Sequence, residues 1–154
     1  MAEPKKILVM GLPSSGKTFL SDILAKTFKL ANFNADMIRK AANDWDFSIE
    51  GRIRQAERMA HLANFEVSKG RSVICDFVCP LEQGRLIFDA DIVIWLNTII
   101  ESEYGDTNKL FEPPKNPEWV ISYFLTEPKI ISMFEQINFI PKQLLRKNME
   151  HLEK

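Results

Sequence analysis

Short apolar runs alternate with longer stretches of helical spacing through the first hundred residues. Lys6–Met10, Leu30–Asn34, Ser72–Asp76 and Asp91–Leu96 are five or six residues long and read as buried strands. Between them, Phe19–Lys29 reads as a helix. Residues 52–69 make the clearest helical stretch, with Ile53, Ala56, Ala60, Ala63 and Val67 forming one apolar stripe. Gly70 then serves as its C′ stop. Leu81–Phe88 predicts a further short helix. This alternation predicts an α/β fold: a parallel sheet flanked by helices and wound with right-handed crossovers. Ligands of such sheets sit at the carboxyl ends of the strands. That edge collects residues 11–18, Asp36 and Asp76.

The last third breaks the rhythm. Glu101–Asn116 is polar, contains Pro113 and Pro114, and is long enough to be an active-site lid. Pro117 suits a first helical turn capped by Asn116. Helices are expected over 118–125, 128–138 and 141–152, with Pro128 and Pro141 as breaks, giving a helical C-terminal third. Trp119, Phe124, Ile131, Phe134 and Ile140 are expected to pack on the sheet, a homodimer surface being the alternative.

Composition narrows the class. The 154 residues suit one domain with its own core, and 45% apolar with 27% charged residues is ordinary for a soluble globular chain. The net charge of −1 gives no general basic field for nucleic acid or membrane. No apolar run approaches the ~20 residues needed to span a bilayer. Met1 to Lys6 reads as no signal peptide, and Cys75 and Cys79 are too few for a disulfide framework or a zinc site. A reducing, cytoplasmic setting is expected. His61 and His151 have no metal-spaced partners, Cys75 reads as an inert strand residue, and Trp45 as either pocket wall or core.

Residues 11–18, Gly-Leu-Pro-Ser-Ser-Gly-Lys-Thr, form a complete phosphate-binding loop between a strand and a helix. Gly11, Ser14, Ser15 and Gly16 offer backbone N–H groups to phosphate oxygens, Lys17 reaches the terminal phosphates, and the Thr18 hydroxyl can ligate Mg²⁺. The helix that follows turns its positive end toward the same anion. ATP and Mg²⁺ are therefore the expected cofactors. The fourth strand ends in Asn97-Thr98-Ile99, without the N-K-x-D of guanine-specific switches. Phosphoryl transfer to a hydroxyl needs a group that orients the acceptor and takes its proton, and Asp36 is placed for that. Arg39, Arg52 and Arg85 are candidates for binding an anionic acceptor through their guanidinium forks.

Over roughly residues 6–120 the chain resembles the adenylylsulfate kinases, P-loop enzymes that phosphorylate the 3′-hydroxyl of adenosine 5′-phosphosulfate with ATP. The family's D-G-D-N-x-R reads here Asn34-Ala-Asp36-Met-Ile-Arg39, and its G-F-S reads Asp46-Phe47-Ser48, with Arg52 five residues after the Phe. F-I-S-P reads Phe77-Val-Cys-Pro80, with Arg85 five residues on, and Y-E-x-P-x-N-P-E reads Phe111–Glu118. The resemblance implies that Asp36 acts on the acceptor hydroxyl or through a Mg²⁺-bound water. It implies that Arg39 and Arg52 hold the phosphosulfate and that Phe47 stacks on the acceptor adenine. Gln55, Phe77, Val78 and Cys79 would complete the acceptor pocket, and Lys109 would close over the phosphates from the lid.

The departures are on the acceptor side. Asn34 stands where the family has the first Asp of its motif, Gln55 replaces an Asn, and Cys79 replaces a Ser. The lid is short and lacks the family's R-D-x-K-G-L-Y, with Glu103 near the expected Arg. Asp76 ends a strand that usually carries no carboxylate in the family, and it is a candidate Mg²⁺ ligand beside Thr18 and Asp36. Two alternatives follow: a kinase of another nucleoside, modified-base or polynucleotide hydroxyl, and a non-catalytic nucleotide-binding module. The first would act on a small nucleotide-like molecule or, less in keeping with the net charge, on a nucleic-acid end.

Overall fold

The computed structural model describes residues 3–135. Five strands form one parallel sheet: β1 (Lys6–Met10), β2 (Ala31–Asn34), β3 (Val73–Asp76), β4 (Ile92–Leu96) and β5 (Trp119–Ile121). Their order is β2-β3-β1-β4-β5, with β1 in the centre and buried along its whole length. The helices are α1 (Lys17–Phe28), α2 (Ala35–Ala42), α3 (Ile49–Ser68), α4 (Glu82–Phe88), α5 (Gly105–Leu110) and α6 (Glu127–Phe134).

Alternating side chains divide the core between the two sheet faces. Ile7 and Val9 of β1, Ile74 of β3 and Ile92, Ile94 and Leu96 of β4 pack with Leu20, Ile23 and Leu24 of α1 and with Ile130 and Phe134 of α6. Leu8, Met10, Val73 and Cys75 point the other way, onto Ala56, Met59, Ala60 and Ala63 of α3 and Phe88 of α4. The small residues of the α3 stripe let that helix lie close to the sheet. The strand order puts the loop after β1, the end of β2 and the end of β3 side by side.

The structure corrects the expected elements in the last third. Residues 118–125 are not a helix capped by Asn116 and opened by Pro117: Trp119–Ile121 is β5, paired with β4. Its Trp119 and Ile121 are buried on one face, and three residues are too few to register as a period. The preceding Glu118 docks the segment, since its N–H donates to the Val93 carbonyl at 3.0 Å and its Oε2 accepts from the Val93 N–H at 2.7 Å. The polar stretch 101–116 is not loop throughout, because it contains α5. Helix α2 follows β2 directly, at positions for which no element was expected, and α3 begins three residues before the expected start at 52, at the Ser48 cap. Of the large apolar residues in this third, Trp119 and Phe134 are fully buried and Ile131 is partly so, but Phe124 is 65% exposed. Ile140, His151, the end of the helix expected over 128–138 and the helix expected over 141–152 lie outside the described residues.

Candidate active site

The phosphate loop leaves β1 through the buried Gly11 and closes on α1. Ser14 has φ 69° and Gly16 φ 99°, so the loop turns twice through the left-handed region. At Gly16 a side chain would be strained, and its Cβ would also meet the Phe124 ring at 3.6 Å. The loop is braced from the segment just past β4, where the Thr98 hydroxyl donates to the Ser15 carbonyl at 2.8 Å. Lys17 Nζ donates to the Leu12 carbonyl at 2.9 Å. Burial lowers the Lys17 pKa to about 8, against the pull of Asp76 and Asp36.

Beside the loop, the ends of β2 and β3 bring Asn34 opposite Asp76. Asp76 is 1% exposed. Its Oδ2 accepts from Thr18 Oγ1 at 2.9 Å and from Asn34 Nδ2 at 2.8 Å. Burial raises its pKa to about 6, while those two hydrogen bonds and the Lys17 charge oppose the rise. Asp36 sits in the first turn of α2, exposed on the wall of the same cavity.

That cavity is about 650 Å³ and runs from Lys17, Thr18, Asp36 and Asp76 to a basic and aromatic end built by Arg39, Phe47 and Arg52. Both guanidiniums lie over the Phe47 ring, Arg39 at 4.4 Å and Arg52 at 5.4 Å from its centroid. Arg39 Nη1 donates to the Asp44 and Asp46 carbonyls at 3.0 and 3.1 Å. Arg52 Nε donates to the Phe47 carbonyl at 2.8 Å, and its Nη2 donates to Thr107 Oγ1 at 3.0 Å and lies 3.6 Å from Asp106 Oδ2. The loop carrying Phe47 is held from outside, since Asp44 pairs with Arg54 at 2.7 Å and with Arg58 at 2.8 Å. Gln55, Phe77, Val78, Cys79 and Trp45 also line the cavity. The Gln55 side-chain amide donates to the Ala35 carbonyl at 3.0 Å, and the buried Cys79 thiol has its pKa pushed up to about 12.

Five of the sequence candidates do not line this cavity: Gly11, Ser15, Gly16, Arg85 and Lys109. Arg85 turns to the Cys79 carbonyl at 2.8 Å, and Lys109 is exposed on α5. Ser15 and Gly16 face a second, smaller groove on the other side of the loop, lined by Phe19, Tyr123 and Phe124 among others. The sequence reading missed Tyr104, Asp106 and Thr107, which reach the cavity because α5 folds over it, and the aromatics of the second groove. Of the groove's aromatics, only Phe124 is singled out in the sequence, where it is expected to pack on the sheet.

Comparison with known proteins bears on the whole arrangement. A probable adenylyl-sulfate kinase of Aeropyrum pernix is 34% identical over 85 residues, which are 51% of this chain and 46% of that protein. The aligned stretch is thus about half the length of the curated relative. The crystal structure of APE1195 superposes with a TM-score of 0.75 at 22% identity, over 96% of this chain and 97% of its own. The Mycobacterium tuberculosis APS kinase CysC, solved with AMPPNP and APS, superposes with a TM-score of 0.71 at 16% identity over the full length of both chains. These two share the fold. The sequence model of the adenylylsulphate kinases matches residues 3–93, from β1 into β4, a stretch that contains the phosphate loop, Asp36, Arg39, Phe47, Arg52 and Asp76. On that match, the chain belongs to the adenylylsulphate kinase family.

Proposed function

We propose that this protein is an ATP-dependent kinase that transfers the γ-phosphoryl group to the 3′-hydroxyl of adenosine 5′-phosphosulfate. The observation that carries the reading is the single cavity joining the phosphate loop to the Arg39–Phe47–Arg52 cluster. A phosphoryl donor and an anionic, aromatic acceptor need to meet in one such space, and the family membership supports this acceptor. The ATP phosphates lie in the loop against Lys17 and the start of α1, and the donor base lies in the groove of Phe19, Tyr123 and Phe124. The acceptor adenine stacks on Phe47, and its phosphosulfate is held by Arg39 and Arg52. The acceptor oxygen attacks the γ-phosphorus, the bond to the ADP oxygen breaks, and Asp36 orients the hydroxyl and receives its proton.

The residues present fit Mg²⁺. The Thr18 hydroxyl and the Asp76 carboxylate are hard oxygen donors 2.9 Å apart beside the loop, and Asp76 Oδ1 is buried without a hydrogen-bond partner among the described residues. Mg²⁺, when bound, offsets charge on the β- and γ-phosphate oxygens. Asp36, which also lines the cavity, is a further carboxylate that can hold a water of that ion.

Calorimetry with separate ligands tests the assignment. Arg52→Ala is expected to weaken adenosine 5′-phosphosulfate binding by about 10- to 100-fold, the loss of a charge-assisted hydrogen bond, and to leave AMPPNP binding unchanged. Wild-type protein that binds AMPPNP but not adenosine 5′-phosphosulfate contradicts the acceptor. A second reading, a kinase of another nucleoside-like hydroxyl, is favoured by one observation: Gln55, Asp76 and Cys79, all departures from the family pattern, line this cavity.

A further inference from the structure

Strands β2 and β3 end side by side, and Asn34 and Asp76 are register partners at that end. Asn34 Nδ2 donates to Asp76 Oδ2 at 2.8 Å and to Thr18 Oγ1 at 3.0 Å. The Thr18 hydroxyl in turn donates to the same Oδ2 at 2.9 Å. The three side chains thus close a triangle beside the phosphate loop.

The orientation of the Asn34 amide is fixed from its other end. Its Oδ1 accepts the Met37 N–H at 3.0 Å as the N-cap of α2, so Nδ2 faces Asp76. A flipped amide would lose the cap and set an oxygen against a carboxylate. A carboxylate at position 34 would set two negative groups at about the same separation as this hydrogen bond. Meanwhile Asp76, 1% exposed, lines the cavity with Oδ1 lacking a hydrogen-bond partner among the described residues. A buried carboxylate oxygen left in that state is costly unless a cation completes it. Both strand ends reach Thr18 Oγ1 within 3.0 Å, so either could present the charge to a cation held there.

We propose that Asn34 is a positioning residue, whose amide locks Asp76 and Thr18 into an oxygen-donor set of one negative charge for the nucleotide's divalent cation. The charge belongs to the pair of strand ends rather than to β3 alone, so amide and carboxylate can exchange places. An Asp at position 34 keeps the helix cap, and an Asn at 76 returns the hydrogen bond. This inference rests on the nucleotide site proposed above, but it does not depend on the acceptor.

The test measures AMPPNP affinity by calorimetry with and without Mg²⁺, and Mn²⁺ binding by electron paramagnetic resonance, with no acceptor present. Asp76→Asn, which keeps the side chain's shape, is expected to lose the Mg²⁺-dependent gain in AMPPNP affinity while keeping metal-free binding. Asn34→Ala adds no charge and is expected to weaken Mn²⁺ binding about 10-fold or more, as loss of a ligand-orienting partner does. The double variant Asn34→Asp/Asp76→Asn is expected to regain the Mg²⁺ dependence. An unchanged Mg²⁺ dependence in Asp76→Asn overturns the proposal. A double variant as poor as Asp76→Asn overturns the exchange of places. Wild-type protein that binds no AMPPNP at all overturns the nucleotide reading itself, and this inference with it.

Discussion

Asp76 is held in conditions that disfavour its ionised form. Burial lifts its pKa from the ordinary 3.8 to about 6, and the hydrogen bonds from Asn34 and Thr18 only partly hold it down. The folded protein therefore binds a proton at Asp76 more readily than the unfolded chain does. Asp76 contributes stability that is complete below about pH 4 and is lost as pH rises through about 6. The expected result is that Asp76→Asn raises the neutral-pH stability of the ligand-free protein by about 1–3 kcal/mol, with the difference vanishing near pH 4. Urea melts at pH 4 and pH 7.5 read this directly, and equal or lower stability of the variant at pH 7.5 contradicts it. A stabilising substitution at this position would mean that Asp76 is retained for binding rather than for folding. Sequence alone could name Asp76 as a candidate, because it ends an apolar strand. It could not show the Asn34 contact, which depends on β2 and β3 being neighbours in register.

At the scale of elements, the junction between the 43–48 loop and α3 carries the proposed acceptor side. Ser48 caps α3 by accepting the Gly51 N–H at 3.1 Å, and the Asp46 carbonyl passes so close that a Cβ on Gly51 would lie 2.1 Å from it. That same carbonyl accepts from Arg39. In an open helix, Gly→Ala gains roughly 1 kcal/mol. Here the sign is expected to reverse: Gly51→Ala should cost about 1–3 kcal/mol through overpacking and displace Arg39 with the loop. A chemical-denaturation series checks the sign, and a stabilised variant contradicts the packing. The strand-rich first hundred residues were legible because each strand is a continuous apolar run and α3 has a clean stripe. Strand β5 was not, because its pairing rests on contacts with Val93 some 25 residues away. The short α5 was hidden in a polar stretch with no apolar period of its own.

The whole molecule places two cavities beside one loop, which the proposed function assigns to acceptor and donor base. The large cavity is lined by Arg39, Phe47 and Arg52, and the aromatic groove lies beside Ser15 and Gly16. The α5 segment closes over the first through the bond between Arg52 and Thr107, residues 55 positions apart in sequence. Such a contact has no local signature, which is why the sequence placed Lys109, and not Thr107, at the site. By contrast the phosphate loop was legible outright, since strand, glycines and helix are contiguous. Transfer itself is the central claim, and it is tested by incubating the protein with ATP, Mg²⁺ and adenosine 5′-phosphosulfate and resolving the products by ion-pair chromatography. The account predicts ADP and 3′-phosphoadenosine 5′-phosphosulfate in equal amounts, with the rate falling about 10²-fold or more in Lys17→Ala through lost transition-state charge stabilisation. ATP bound without that product, or equal product from Lys17→Ala, would contradict it.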